Sequence, residues 1–316
     1  MKKIIAILFT CVLCFSLASG CSSSSTSYTK SGAYWLKNPQ TSEIADIDEK
    51  SEYEIKIEAY KNADVTLTIT TGTYVTHLTK SSLTINEESV DCYKLESDMV
   101  LKGTYTYKTK TVNVDDSMHS VVYFKGYGDS IKPYKTEKQV TSTSPVPDGN
   151  SIKFETIKYE YTVNYGDKAV TSFKELSDKV LKTPEKSEKS YNSSSFCENE
   201  LLMFYPRMYK IESGFNITLK TYNVVQNEML SLAVKAESTN TDMTTDCTLY
   251  GHKQTSIKTD CLSICKTGTY SGSKLYAYYT TQTTMFKNNV LLKFTTPAFS
   301  TGNLVYSLKT FTTNQF

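Results

Sequence analysis

Ile157-Lys158-Tyr159-Glu160-Tyr161-Thr162-Val163-Asn164-Tyr165 decides the fold class. Apolar or aromatic side chains fall on every second residue, with charged or polar ones between. A strand sends alternate side chains to opposite faces, so this period buries one face and wets the other. A helix would scatter the same residues around its axis. Gly166-Asp167 then marks a turn. Upstream, Ile152 and Phe154 fall on the opposite parity, which predicts a β-bulge near Thr156.

The same alternation recurs outward in both directions. Tyr53, Ile55 and Ile57 alternate with Glu54 and Lys56; Val65, Leu67 and Ile69 alternate with threonines; Leu230, Leu232 and Val234, then Leu304, Tyr306 and Leu308, repeat the pattern. Short alternating runs separated by turn residues predict an all-β chain, mainly antiparallel. It is expected as a curved sheet or half-barrel, or as two packed β units. Two short helices are expected to interrupt it. Ser172-x-x-Glu175 and Ser195-x-x-Glu198 are capping boxes. The first precedes Leu176 and Val180 and stops at Thr183-Pro184. The second opens a helix over Glu198–Tyr205, ended or kinked by Pro206.

Ser142-Thr143-Ser144-Pro145-Val146-Pro147-Asp148-Gly149 is the strongest punctuation in the middle of the chain. It divides a β-rich half at 51–141 from another at 151–316, with 142–150 as connector. Asp91-Cys92 and Asp260-Cys261, each ahead of an expected hairpin, give a faint echo between the halves.

The amino terminus reads differently. Met1-Lys2-Lys3 is followed by an apolar run from Ile4 to Leu17, then Ala18-Ser19-Gly20-Cys21. A basic start, a short apolar stretch and small residues form a secretory signal. The run falls short of the ~20 residues a bilayer span requires. Ending on Gly-Cys, residues 1–25 resemble a bacterial lipoprotein signal with a lipobox. The resemblance implies cleavage after Gly20 and diacylglycerol on the Cys21 sulfur, with two acyl chains giving stable anchoring. Ala18 stands where the pattern has leucine, so ordinary secretion is the alternative. Residues 21–50, opening with Ser22–Ser25, read as a polar tether. The expected setting is the outer face of a bacterial membrane, held there by Cys21.

The segment from Glu198 onward resembles exported β-rich envelope domains of unknown function. More distantly it is similar to lipoprotein carriers of the LolA type, whose curved sheet covers a lipid. The residues carrying both likenesses are 198–209 and the strands after Phe215. The likeness implies binding of a hydrophobic ligand or peptide on a curved sheet. A structural or adhesive surface module with no pocket is the other reading.

Composition narrows the chemistry. Once Lys2 and Lys3 leave with the signal, the remaining basic and acidic side chains balance. Nothing in that balance favours nucleic acid, which calls for a basic face. The three histidines, His77, His119 and His252, lie in separate segments and read as surface residues. No nucleophile elbow or phosphate loop occurs. No enzyme activity, cofactor or metal is expected; a catalytic site would need carboxylates or tyrosines assembled by folding.

Arg207 is the single arginine among 35 basic residues. Set among Phe204, Tyr205, Met208 and Tyr209, it needs a carboxylate, ring or carbonyl partner. Either it meets an anionic group on a ligand or it makes a structural ion pair. Tyr105, Tyr107, Tyr159, Tyr161, Tyr276 and Tyr278 are candidate walls of a binding face; ordinary sheet packing is their plainer role. Cys92, Cys197, Cys247, Cys261 and Cys265 are an odd set in the mature chain. Cys247 with Cys261 is the candidate disulfide, joined across a hairpin.

Overall fold

The computed structural model describes residues 45–127, 130–178, 181–192, 195–267, 274–281, 289–298 and 301–314. Cys21, the signal and most of the tether lie outside the described residues.

Among the described residues, fourteen strands form one sheet. They are β1 (Asp48–Ala59), β2 (Val65–Ile85), β3 (Glu88–Tyr107), β4 (Lys110–Tyr127), β5 (Ser130–Asp148), β6 (Ser151–Tyr165) and β7 (Lys168–Glu175). After them come β8 (Lys186–Ser190), β9 (Asn216–Asn223), β10 (Glu228–Leu249), β11 (His252–Lys266), β12 (Leu275–Thr280), β13 (Leu291–Ala298) and β14 (Gly302–Thr313). The spatial order is β8-β7-β6-β5-β4-β3-β2-β1-β14-β13-β12-β11-β10-β9. Each strand thus lies beside its sequence neighbours except β8 and β9, which stand at the two ends of the order, and β1 with β14 joins the first run to the last. All these pairings are antiparallel; a two-residue parallel contact adds β10 to β14.

The sheet curls until its end strands meet through side chains. Thr171 and Ser187 of β7 and β8 lie 3.4 and 2.9 Å from the Tyr222 hydroxyl of β9. Thr183 donates to the Val225 carbonyl at 2.6 Å. The inner face is aliphatic and aromatic. Phe294 stacks on Tyr306 with ring centres 4.1 Å apart, while Tyr53 meets Phe294, and Tyr74 meets both, edge-on. Such pairs contribute about 0.5–1.5 kcal/mol beyond area burial.

Several expectations are corrected in detail. The segment with the first capping box is strand β7, whose Ala169, Thr171 and Phe173 point inward. Its Glu175 carboxylate accepts from Leu181 N and Ser177 Oγ, tying a turn where a helix was expected. The second helix exists only as two 3₁₀ turns, Asn199–Leu201 and Tyr205–Met208. Ser142–Asp148 is no connector; it completes β5, and the turn at Gly149 leads straight into β6. The bulge near Thr156 is absent, for β5 and β6 pair without a shift from Asp148↔Ser151 to Lys135↔Asn164. The change of parity has another cause. The outer ends of β3 and β4 lie over this part of β6: Tyr105 stacks on Phe154 at 5.6 Å, and Lys110 Nζ stands 5.8 Å from the same ring's centre. Ile152 and Phe154 therefore face a second layer on the far side of the sheet.

Candidate functional site

The concave face is occupied by the chain itself. After β8 the backbone crosses the outer edge of β9: Cys197 N donates to Lys220 O, and Lys220 N to Ser195 O, both at 2.8 Å. The chain then turns inward and runs as a plug from Phe196 to Ile211 before reaching β9. Phe196, Leu201, Leu202, Tyr205, Met208 and Tyr209 are all buried. Pro206 removes a donor and holds the second 3₁₀ turn. Tyr205 and Tyr209 pack at 5.8 Å, and Tyr209 meets Phe215 at 5.5 Å.

Two buried ionic contacts fix the plug to the sheet. Arg207 is clamped by Glu49 of β1, Nη1 to Oε1 at 2.6 Å and Nη2 to Oε2 at 2.9 Å. Its guanidinium carbon lies 5.3 Å from the Phe204 ring centre. This fork-to-fork geometry is the strongest form of the pair. The expected partner for Arg207 is thus a carboxylate of its own chain. At the other contact, Lys138 Nζ of β5 donates to Glu200 Oε1 at 2.6 Å. Asn199 Nδ2 also donates to Glu200 Oε1, at 3.0 Å, and Ser120 of β4 donates to Oε2 at 3.4 Å.

Glu198 lies beside this pair. Its backbone is extended, and its carboxylate caps the first 3₁₀ turn, accepting from Glu200 N at 2.7 Å and Leu201 N at 3.3 Å. The Tyr165 hydroxyl donates to it at 3.4 Å. Complete burial and the Glu200 charge push the Glu198 carboxyl up to about 8. Burial, with Glu200 and Glu198 behind it, holds the Tyr161 phenol well above its ordinary value. The fold has assembled carboxylates and tyrosines, but buried where the plug meets the sheet.

The candidate wall residues do not form one surface. Tyr159 and Tyr161 face inward on β6, and Tyr159 stacks on Phe173 at 5.5 Å. Tyr105 is buried in the second layer, against Phe154. Tyr276 and Tyr278 are half-buried on β12, alternating with the inward-facing Leu275, Ala277 and Tyr279, and Lys293 lies over Tyr278 at 5.8 Å. Arg207 is inside. The Cys247–Cys261 disulfide is not formed. Cys92, Cys197, Cys247 and Cys261 are buried thiols, as is Cys265. Cys261 pairs opposite Ser238 and Cys247 opposite Gln254. Positions 238 and 247 of one strand are roughly 30 Å apart at ~3.3 Å per residue.

The β10–β11 hairpin closes the Arg207 end. Three register shifts bend it, and its tip reaches β14, where Thr248 and Leu249 pair with Thr310 and Phe311. Tyr250 N donates to Phe311 O at 3.2 Å and the two rings meet edge-on at 5.3 Å. Beneath it, a cleft between Tyr53, Tyr74, Met203, Phe204, Arg207 and Phe311 has room for about one water molecule. Asp48 holds His77 and Asp98 holds His119, each at 2.8 Å and exposed.

Sequence reasoning missed Glu49, Lys138, Glu198 and Glu200 as partners. Lys138 alone carried a signal, since it stands in the inward row Thr136, Lys138, Val140.

No family model and no curated protein matches this chain. Among solved structures the fold is similar to a β-barrel-like protein of domain of unknown function DUF1849 from Brucella abortus. The likeness has a TM-score of 0.46 and 6% identity, and covers 86% of this chain and 100% of that one.

Proposed function

We propose that this chain is an exported envelope lipoprotein, anchored through Cys21, whose body is a non-enzymatic structural or adhesive module acting through its outer surface. The observation that carries this reading is the filled inner face. A curved sheet serving as a lipid carrier needs a cavity of several hundred Å³ for an ordinary ligand. Among the described residues that space is taken by Phe196–Ile211, and the cleft beside Arg207 accommodates about a water. The acidic and phenolic groups that would serve catalysis are sealed by the same segment. Partners are therefore sought on the outside, among proteins or other polymers of the envelope, with the lipid anchor as membrane contact.

The binding of a hydrophobic ligand or peptide on the concave face stays as a second reading, favoured by one observation. Among the described residues the plug's backbone joins the sheet's edge by the Phe196–Lys220 bridge and is otherwise fixed by side chains, so it could leave without unpairing any of the fourteen strands.

The test is mass spectrometry of protein extracted from its own membrane. The first reading expects a diacylglyceryl adduct on Cys21 and no further hydrophobe in native spectra. A stoichiometric, extractable lipid or peptide would overturn it in favour of the second. An unmodified Cys21 on protein washed into the medium would overturn the anchoring.

A further inference from the structure

The acid pair beside Lys138 has more polar equipment than packing requires. An apolar trio of similar volume would fill the same space at no loss of stability, and often with a gain. Instead Glu198 and Glu200, both on the plug, share one cation from the sheet. Removing a proton from Glu198 leaves two carboxylates and one ammonium in a site closed to water. The cost is chiefly that of holding the excess charge away from water, and it outweighs the pull of Lys138; release of the plug from the sheet lets water reach Glu198 and relieves it.

We propose that Glu198, Glu200 and Lys138 form a protonation latch, which holds the plug in the sheet while Glu198 is neutral and loosens it when Glu198 ionises. The proposal is independent of which reading of the outer or inner face is right. The Glu200 and Leu201 amides and the Tyr165 hydroxyl already bond the Glu198 carboxylate, and among the described residues no second cation joins Lys138 to balance the new charge. β5 brings Lys138, already bonded to Glu200. β6 brings Tyr161 and Tyr165, neutral phenols whose own ionisation is opposed by burial. β4 brings Ser120, while its His119 is exposed and bonded to Asp98. β9 brings Tyr222, bonded among hydroxyls at the sheet's end, and an exposed Lys220. On the plug itself the Cys197 thiol is held neutral by burial and by Glu198. The raised Glu198 pKa agrees with this geometry. It sets the sign: opening is least favoured at pH 5 and most favoured above about 8.

Hydrogen exchange on the full-length protein reads the latch, with rates corrected for their intrinsic pH dependence. The amides of Leu201, Leu202, Phe204, Arg207 and Tyr209, which close the plug's turns, should lose about tenfold or more in protection between pH 5 and pH 9. Amides of β4, β5 and β6 should change less. Glu198→Gln, which stays neutral, should hold the plug's protection constant. Equal protection at both pH values in the native protein, or the same loss in Glu198→Gln, overturns the proposal. Should Glu198→Gln fail to fold, Asp116→Asn decides: this other buried carboxyl with a raised pKa lies on β4, off the plug, so the loss must persist in that variant. Its disappearance there would assign the effect to Asp116 and overturn the latch.

Discussion

Glu49 and Arg207 are sealed from solvent with 4% or less of either side chain exposed. Removing one partner strands the other charge, which typically costs about 3–5 kcal/mol. Arg207→Met alone should therefore lower the unfolding free energy, read from urea denaturation, by that much. Glu49→Met with Arg207→Met should recover most of the loss, because two apolar chains leave no orphan. Additive losses in the double variant would show that the pair is not the contact described. Asp116 makes a separate prediction. It is fully buried, accepts from Thr143 N at 2.8 Å, and its second oxygen has no partner. Burial pushes its carboxyl from an ordinary 3.8 up to about 7, as it pushes Glu198 from 4.5 to about 8. Both folded values lie above the unfolded ones, so the folded state binds the extra protons. Their stabilisation is complete below about pH 4, falls as pH rises, and is gone above about 8. Chemical unfolding at intervals from pH 4 to 9 should show that decline, and Asp116→Asn should flatten the part that ends near pH 7.

At the scale of elements, the alternating rows were legible and the local signals were not. Residues 157–165 form β6 as read, because half-burial imposes a period of two on the sequence. The capping box at Ser172 misled because the spacing of a serine and a glutamate says nothing of what their neighbours touch. Ala169, Thr171 and Phe173, in the same stretch, already alternated. The parity change at Thr156 was real, but its cause, burial of both faces beneath Tyr105, comes from residues fifty positions upstream. Two element-scale predictions follow from the packing. A Cβ on Gly103 would lie 2.0 Å from the Thr68 carbonyl oxygen, next to the register shift between Ile69 and Thr71. Gly103→Ala should cost about 1–3 kcal/mol by forcing backbone apart, read from the denaturation midpoint. The β10–β11 hairpin, by contrast, contains thiols and no bridge. Reductant should leave the melting temperature unchanged; losing a native disulfide would cost about 2–5 kcal/mol.

For the whole molecule, the consequence of one sheet is that the chain has no natural cut. β1 pairs along most of its length with β14, and β5 with β6, so the halves at 51–141 and 151–316 each lack a neighbour the other supplies. Expressed alone, neither half should give a cooperative thermal transition; a sharp melt from either would show two domains. The inner ionic contacts could not be read in advance, since Glu49 and Arg207 stand 158 residues apart and Lys138 and Glu200 62. Pairing of that kind depends on closure of the sheet, which no local pattern records.

The central claim is that the chain's own segment fills its concave face, and Cys197, 1% exposed within that segment, reports on it. Timed labelling with N-ethylmaleimide at neutral pH, followed by peptide mass spectrometry, should find Cys197 unreactive in the native protein and fully reactive in denaturant. Native labelling of Cys197 as fast as in the denatured chain would mean that the plug is out and the inner face open.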